Sequence, residues 1–259
     1  MSRRPGKYSR AAPAPESESV YGIHAVEAAL RARRRKLHGL WLREGAPSER
    51  LEELHRLARD AALPVEKKPI AELTARCGSD AHQGAVLSAG PLPLLPERES
   101  LSVALSPPPL LVALDQVTDP QNLGAIARSA AVFGATGLVL PRHGSAMPTP
   151  AASKASAGQL EILPVYEAAN LARYLEQAKR AAFWILGAAT EGGTDLTTYR
   201  RTDAAVLVLG SEERGLRPLV AEACDLLFTI PTSHTGSLNV SAATAIFLYQ
   251  LRLQSAEKR

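Results

Sequence analysis

The sequence predicts an α/β protein in two parts: a parallel sheet covered by helices on both faces, preceded by a smaller α/β unit. Two observations carry the larger part. Leu110–Leu114, Thr136–Leu140, Ala182–Leu186, Ala205–Leu209 and Leu226–Ile230 are short, nearly continuous apolar runs. A strand with one wet face alternates, so continuous runs mean burial on both faces. Helical segments at about 122–133, 168–180, 215–223 and 239–253 lie between most of them. Strand–helix alternation of this kind is the pattern of a parallel sheet. Periodicity by itself gives an ordinary doubly wound sheet, whose ligands bind beyond the carboxyl ends of the strands.

The elements before it read in order as follows. Residues 1–19 are rich in Arg, Pro, Ala and Ser without periodicity, and are expected to be a disordered basic arm. Within 20–90, His24 to Arg34 has Val26, Ala29 and Leu30 at helical spacing, and Leu37 to Leu42 alternates like a strand. Ser48 is placed to cap a helix running to Ala61, with Leu51, Leu54, Leu57 and Ala58 on one face. Pro64–Lys67 and Gly84–Ser88 read as short strands. Gly90 to Pro109 holds six prolines in twenty residues, so 91–109 is expected to be a linker. The second domain then runs over 110–259.

Apolar residues make up 46% of the 259 and charged residues 22%, which suits a globular chain with a sizeable core. No stretch approaches the roughly 18 consecutive apolar residues of a membrane span. The opening MSRRPGKYSR has no apolar centre, so no secretory leader is expected. Cys77 and Cys224 lie far apart and form no metal-ligand pair. A reducing, cytoplasmic setting and a protein without metal follow as expectations.

The net charge of +4 is unevenly spread. Residues 1–90 carry 16 Lys and Arg against 11 Asp and Glu, and the remainder 14 against 15. The excess sits in Arg3, Arg4, Lys7 and Arg10, and in the run Arg31, Arg33, Arg34, Arg35 and Lys36. Arginine forks match phosphate oxygens. The run therefore reads either as an RNA contact or as a solvated helix end.

Three strand ends carry unusual residues. Asp119-Pro120-Gln121-Asn122-Leu123-Gly124 opens a helix that places Arg128 nearly two turns inside. Leu209-Gly210-Ser211-Glu212-Glu213-Arg214-Gly215 is a charged turn bracketed by glycines. Ile230 to Ser241 runs through Pro, hydroxyls and Gly into Ser237-Leu238-Asn239-Val240-Ser241, with more capping residues than one helix needs. Each has a plain structural reading as an ion pair, a turn or a cap. No dinucleotide fingerprint, Walker loop or metalloprotease motif is present.

In order and placement the three loops resemble the signature motifs of the SpoU (TrmH) family of RNA ribose 2′-O-methyltransferases, of the SPOUT class. Lys154-Ala155-Ser156-Ala157-Gly158 resembles the same family. Tyr21-Gly22-Ile23-His24-Ala25-Val26 and His82-Gln83-Gly84 resemble the RNA substrate-binding domain of the subfamily that methylates a guanosine of 23S rRNA. The resemblance covers about residues 20–253. It implies S-adenosylmethionine as cofactor, a C-terminal trefoil knot in place of the ordinary doubly wound sheet, and a homodimer with the active site beside the interface. It implies catalytic roles for Asn122, Arg128, Glu212, Ser237 and Asn239, cofactor contacts at Gly210, Gly215, Ile230 and Leu238, and an RNA contact at Lys154. Arg128 would stabilise the developing alkoxide, with Asn122 orienting substrate or Arg128 and Glu212 fixing Arg128 or a loop. The chain departs from the family in a shorter stretch between Ile230 and Ser237, in Thr232, and in Glu213-Arg214. A 23S rRNA substrate, naked or in a precursor particle, is the leading expectation. A tRNA substrate or a non-catalytic RNA-binding factor are the alternatives.

Overall fold

The computed structural model describes residues 16–45, 48–102, 107–233 and 237–256. Most of the basic arm, and His234, lie outside the described residues.

The first unit holds β1 (Glu18–Tyr21), α1 (Ile23–Ala32), β2 (Leu37–Arg43), α2 (Glu49–Asp60), β3 (Val65–Lys68), α3 (Ile70–Cys77) and β4 (Ala85–Ala89). Its sheet runs β1-β4-β2-β3, antiparallel except for β2 beside β3. Val26, Ala29 and Leu30 of α1 and Leu51, Leu54 and Ala58 of α2 pack on Leu40, Leu42, Ala85 and Leu87. The arm therefore stops earlier than expected: Glu18 already pairs with Ala89. Ser48 occupies the N-cap of α2 but makes no capping side-chain hydrogen bond.

The segment expected to be a linker is only partly one. It contributes β5 (Leu95–Pro96), which pairs with a strand of the larger sheet, and α4 (Glu97–Ser100). Leu92 is buried in the larger core, which draws this proline-rich chain onto the second domain.

The larger unit continues with β6 (Leu110–Leu114), α5 (Pro120–Val132), β7 (Gly137–Pro141), α6 (Pro150–Ala155), α7 (Gln159–Ile162) and β8 (Val165–Ala168). Then come α8 (Leu171–Arg180), β9 (Trp184–Ala188), β10 (Thr194–Asp195), β11 (Ala205–Leu209), α9 (Pro218–Glu222), β12 (Leu226–Thr229) and α10 (Val240–Ala256). The eight strands lie in the order β10-β12-β9-β11-β6-β7-β8-β5, and their pairings are parallel.

The continuous apolar runs have the cause the pattern implied. Every residue of β6, β7 and β11 is buried. Leu110, Val112 and Leu114 face α5 and α10 through Leu123, Ile126, Phe247 and Leu248. The alternate residues Leu111 and Ala113 face α8 and α9 through Leu171, Tyr174, Leu175 and Val220. The third run starts later than expected, at Trp184, because Ala181 and Ala182 close α8, with Ala182 at φ 63°. The helix expected from 168 starts at Leu171, where Asn170 caps it through the Arg173 N–H.

Candidate active site

The three motif loops meet where the sheet's central strands end. Asp115, completely buried after β6, accepts from the Arg217 backbone N–H (2.8 Å) and Nε (2.7 Å). This pair, which the sequence did not single out, ties the β6 end to the loop after β11. Within that loop Ser211 and Gly215 exchange backbone hydrogen bonds, so residues 211–215 form a closed turn. A Cβ on Gly210 would stand 2.1 Å from the Gly215 carbonyl carbon, so only glycine allows the turn to fold back this tightly.

The turn presents Glu212. Its Oε1 accepts from Asn122 Nδ2 (3.0 Å), Asn239 Nδ2 (2.7 Å) and the Val240 N–H (3.3 Å). Asn239 also donates to Asn122 Oδ1 (3.0 Å) and accepts from the Ser241 N–H (2.9 Å), which caps α10. One carboxylate oxygen thus joins all three motifs and satisfies donors at a helix start, where backbone N–H groups lack intrahelical partners. Asn122 does not cap its own helix. Asp119 does, through the Gln121 N–H.

A cleft opens beside this cluster. Gly210, Gly215, Ile230 and Leu238, the four positions assigned to cofactor, all line it, together with Glu212 and Ser237. Ala188, Ala189 and Thr190 at the end of β9, and Ala243 and Phe247 of α10, complete its wall; no sequence signal marked them. A second cleft lies across Glu212, formed by Gln116 to Asp119, Asn122 and Ser211 to Arg214. Glu212, Ser211 and Val240 border both. The apolar wall and backbone-rich rim fit a ligand with a flat ring and a short polar chain.

Arg128 is not part of this cluster. It is exposed on α5 and makes no ion pair or hydrogen bond among the described residues. Six residues along a helix is about 9 Å of rise and a turn of about 120° from Asn122. Glu212 therefore fixes the loop and Asn122, not Arg128.

Two residues of the basic run, Arg34 and Arg35, are also corrected. Arg35 is buried, its fork bound to Glu161 (Nε–Oε2 2.8 Å, Nη2–Oε1 3.0 Å). Its Nη1 donates to Glu18 (2.6 Å) and the Gly90 carbonyl (3.0 Å). Arg34 donates to the Leu163 carbonyl (2.7 Å), and burial pulls its pKa down. Both join the first unit to α7 instead of facing solvent. Arg31 is paired with Glu27 and Glu53, and Arg33 reaches the Asp60 carbonyl. Lys36 is exposed. Lys154 lies at the seam between the units, its Nζ 2.7 Å from Gln83 Oε1. Among the described residues no cluster of His, Cys, Asp and Glu suits a metal ion, and no helix is long and apolar enough to cross a membrane.

Similarity to known proteins places the chain in a family. Residues 109–249 match the model of the SpoU rRNA Methylase family, and residues 19–95 that of the RNA 2′-O ribose methyltransferase substrate binding domain. A 23S rRNA (guanosine-2′-O-)-methyltransferase RlmB of Pseudomonas putida is 37% identical over 245 residues, covering 93% of this chain and 98% of that protein. The Coxiella burnetii RlmB is 35% identical, covering 92% and 96%. An AdoMet-bound rRNA methyltransferase from Sinorhizobium meliloti superposes with a TM-score of 0.76 at 25% identity, over 92% of this chain and 87% of that one. The SpoU methyltransferase AviRb of Streptomyces viridochromogenes shares the fold, with a TM-score of 0.78 at 24% identity over 93% and 92%. With both family models in sequence and relatives aligned almost end to end, the chain belongs to the SpoU rRNA methylase family.

Proposed function

We propose that this chain is an S-adenosylmethionine-dependent RNA methyltransferase that modifies the 2′-hydroxyl of a guanosine in 23S rRNA. The observation that carries the reading is the cleft lined by all four expected cofactor positions, abutting the Glu212–Asn122–Asn239 cluster. The cofactor, when bound, supplies an electrophilic sulfonium methyl. The chain's own groups do the rest. Backbone at Gly210, Ile230 and Leu238 would hold the cofactor. Glu212 orients the Asn122 and Asn239 amides at the border of the second cleft, where the ribose would sit. Ser237, exposed at the cleft rim, would contact that ribose. Positioning of this kind accounts for large rate factors without any covalent step.

A guanidinium carries N–H donors and no acceptor, so the role of Arg128 is to stabilise the forming alkoxide or grip the adjacent phosphate. Its place on α5 favours action across a homodimer. Beside it Val132, Ile246 and Tyr249 are large apolar side chains left exposed on α5 and α10. Phe133 and Tyr249 stack edge-on between these two helices. A second copy on this face would cover that apolar surface and set Arg128 near the partner's cleft. The trefoil threading of the C-terminal chain and a cytoplasmic site of action belong to the same reading.

The test is methyl transfer from labelled S-adenosylmethionine to unmodified 23S rRNA, 16S rRNA and tRNA, with the product mapped as an alkali-resistant linkage. One modified guanosine in 23S rRNA is expected. Transfer to tRNA alone, or none to 23S rRNA either naked or in a precursor particle, would overturn the assignment.

A further inference from the structure

Among the described residues two carboxylates are buried, Glu161 and Asp115. Glu161 joins the two units through Arg35. Asp115 lines neither cleft, yet it is bonded to both ends of the turn that borders both. Its backbone N–H donates to the carbonyl of Leu209, the last residue of β11 (2.7 Å). Its carboxylate takes Arg217, on the far side of the turn, by three donors. The Arg217 backbone N–H donates to Oδ2 (2.8 Å), and Nε and Nη2 donate to Oδ1 (2.7 Å each). Between these two anchors lie Gly210, Glu212 and Gly215.

Asp115 also begins the loop of the first motif. Gln116 follows it at φ 61°, a left-handed conformation that a side chain disfavours and that persists only where the surroundings impose it. The next residue, Val117, is buried, and its carbonyl accepts from the Ala146 N–H (2.8 Å). The loops that carry Asn122 and Glu212 thus leave the sheet from one fixed point. Stability alone is a poor reason for this arrangement, since a well-packed apolar pair often replaces a buried ion pair without loss. An apolar pair has no direction, whereas a carboxylate facing a guanidinium fork fixes one. The two partners differ in what they need. The Arg217 side chain is 44% exposed and reaches water by itself, while the wholly buried Asp115 carboxylate depends on its donors.

We propose that Asp115 is a positioning residue for methyl transfer. It touches neither substrate nor cofactor. It acts through Leu209 and Arg217, holding the 210–215 turn where Gly210 and Gly215 meet the cofactor and Glu212 orients the Asn122 and Asn239 amides. The proposal rests on the RNA-methyltransferase reading and adds to it a residue outside both clefts. A clamp of this kind is felt in the rate, because a misplacement of about 1 Å at the reacting atoms costs about a hundredfold.

The test compares the full chain with D115A and D115N in cofactor calorimetry, in methyl transfer to unmodified 23S rRNA and in urea unfolding. D115A should raise the Kd for S-adenosylmethionine about tenfold and lower kcat about a hundredfold. The KM for RNA should stay within a factor of about two, since the matched RNA-binding domain lies in the other unit. D115N keeps one oxygen for the Arg217 N–H and should recover about tenfold of the lost kcat. Parental Kd and kcat in the folded variants, with only a lower unfolding midpoint, would make Asp115 a structural residue and overturn the proposal. If D115A does not fold, D115N decides alone: a kcat about tenfold down at parental RNA KM supports the clamp, and a parental kcat overturns it. A parent that binds cofactor but methylates no RNA would defeat the enzymatic reading, while the Kd comparison still decides whether Asp115 sets the turn. A parent that binds no cofactor would defeat both.

Discussion

Replacing Arg35 by Met should be among the most damaging single changes in the molecule, although it touches neither cleft. The Arg35 side chain is 0% exposed and that of Glu161 1%. The substitution removes both arms of the fork to Glu161, the bond to Glu18 and the bond to the Gly90 carbonyl. The Glu161 carboxylate is then left buried with the Ser153 hydroxyl as its remaining side-chain partner. Breaking a buried pair from one side costs about 3–5 kcal/mol, because the surviving charge is uncompensated. At about 1.4 kcal/mol per factor of ten, that multiplies the unfolded fraction by a hundred to several thousand. Removing both charges should cost far less, since a well-packed apolar pair often replaces a buried ion pair without loss. The assay is urea unfolding by fluorescence. The chain has two tryptophans, Trp41 in the first unit and Trp184 in the second, so W41F and W184F backgrounds report each unit separately. Coincident transitions are expected in the parent. In R35M the midpoint should fall and the Trp41 transition should separate from that of Trp184. R35M/E161L should recover more than half of the loss. A loss below about 1 kcal/mol in R35M would mean the pair behaves as a surface salt bridge, and the reasoning would fail.

Arg128→Ala should keep cofactor affinity within a factor of about two and lower single-turnover methyl transfer by about 10²–10³; near-parental transfer would remove Arg128 from the mechanism. Gly210→Ala forces a methyl to within 2.1 Å of the Gly215 carbonyl carbon. Overpacking of this kind costs about 1–3 kcal/mol, so calorimetry should show cofactor affinity down about five- to a hundredfold. His82 carries a pH dependence: burial holds its pKa below the ordinary 6.5, so the folded state prefers the neutral ring. The unfolded chain takes up that proton first. The stability linked to His82 is full above about pH 6.5, declines as pH falls below it, and is lost once pH passes the lower folded value. Unfolding of the parent and H82Q between pH 7.5 and 5 should therefore show the steeper acid decline in the parent; parallel curves would contradict the assignment.

The larger sheet was legible because a strand buried on both faces leaves nothing but apolar residues to write, as in Leu110–Leu114 and Ala205–Leu209. Elements with few buried side chains left no such trace. In α3 only Leu73 is buried, so no apolar stripe exists to find. In β1 only Val20 is, which is why its first two residues, Glu18 and Ser19, fell within the expected arm. The site was legible as three motifs but not as a cluster. Asn122 lies 90 residues from Glu212 and 117 from Asn239, and spacing carries no sign that one carboxylate oxygen gathers both amides. The basic run misled for the same reason. Charge patterning sees five cations together and cannot see Glu161, 126 residues on, which takes one of them into the interior.

The three segments that resembled the family outside its three motifs turn out to be parts of one joint. A Cβ on Gly158 would stand 2.5 Å from the His24 carbonyl oxygen and 2.7 Å from the Ala28 Cβ, so α1 rests directly on the turn before α7. Lys154, on the same stretch, reaches Gln83. Short-range chemistry at these positions is thus spent on fixing how the first unit sits on the second. An RNA held by the first unit is presented to the cleft in a single frame, and rate depends steeply on such a frame: a misplacement of about 1 Å can cost about a hundredfold. Gly158→Val should accordingly leave cofactor affinity unchanged, since the cleft lies on other elements. It should lower kcat/KM for RNA by about ten- to a hundredfold through loss of that frame. The decisive comparison is with a short RNA fragment that spans only the target nucleotide and cannot reach the first unit. On that fragment parent and variant should become equal. If the variant remained equally impaired there, the joint would be supporting the cleft itself, and the idea that it sets the frame for RNA would be wrong.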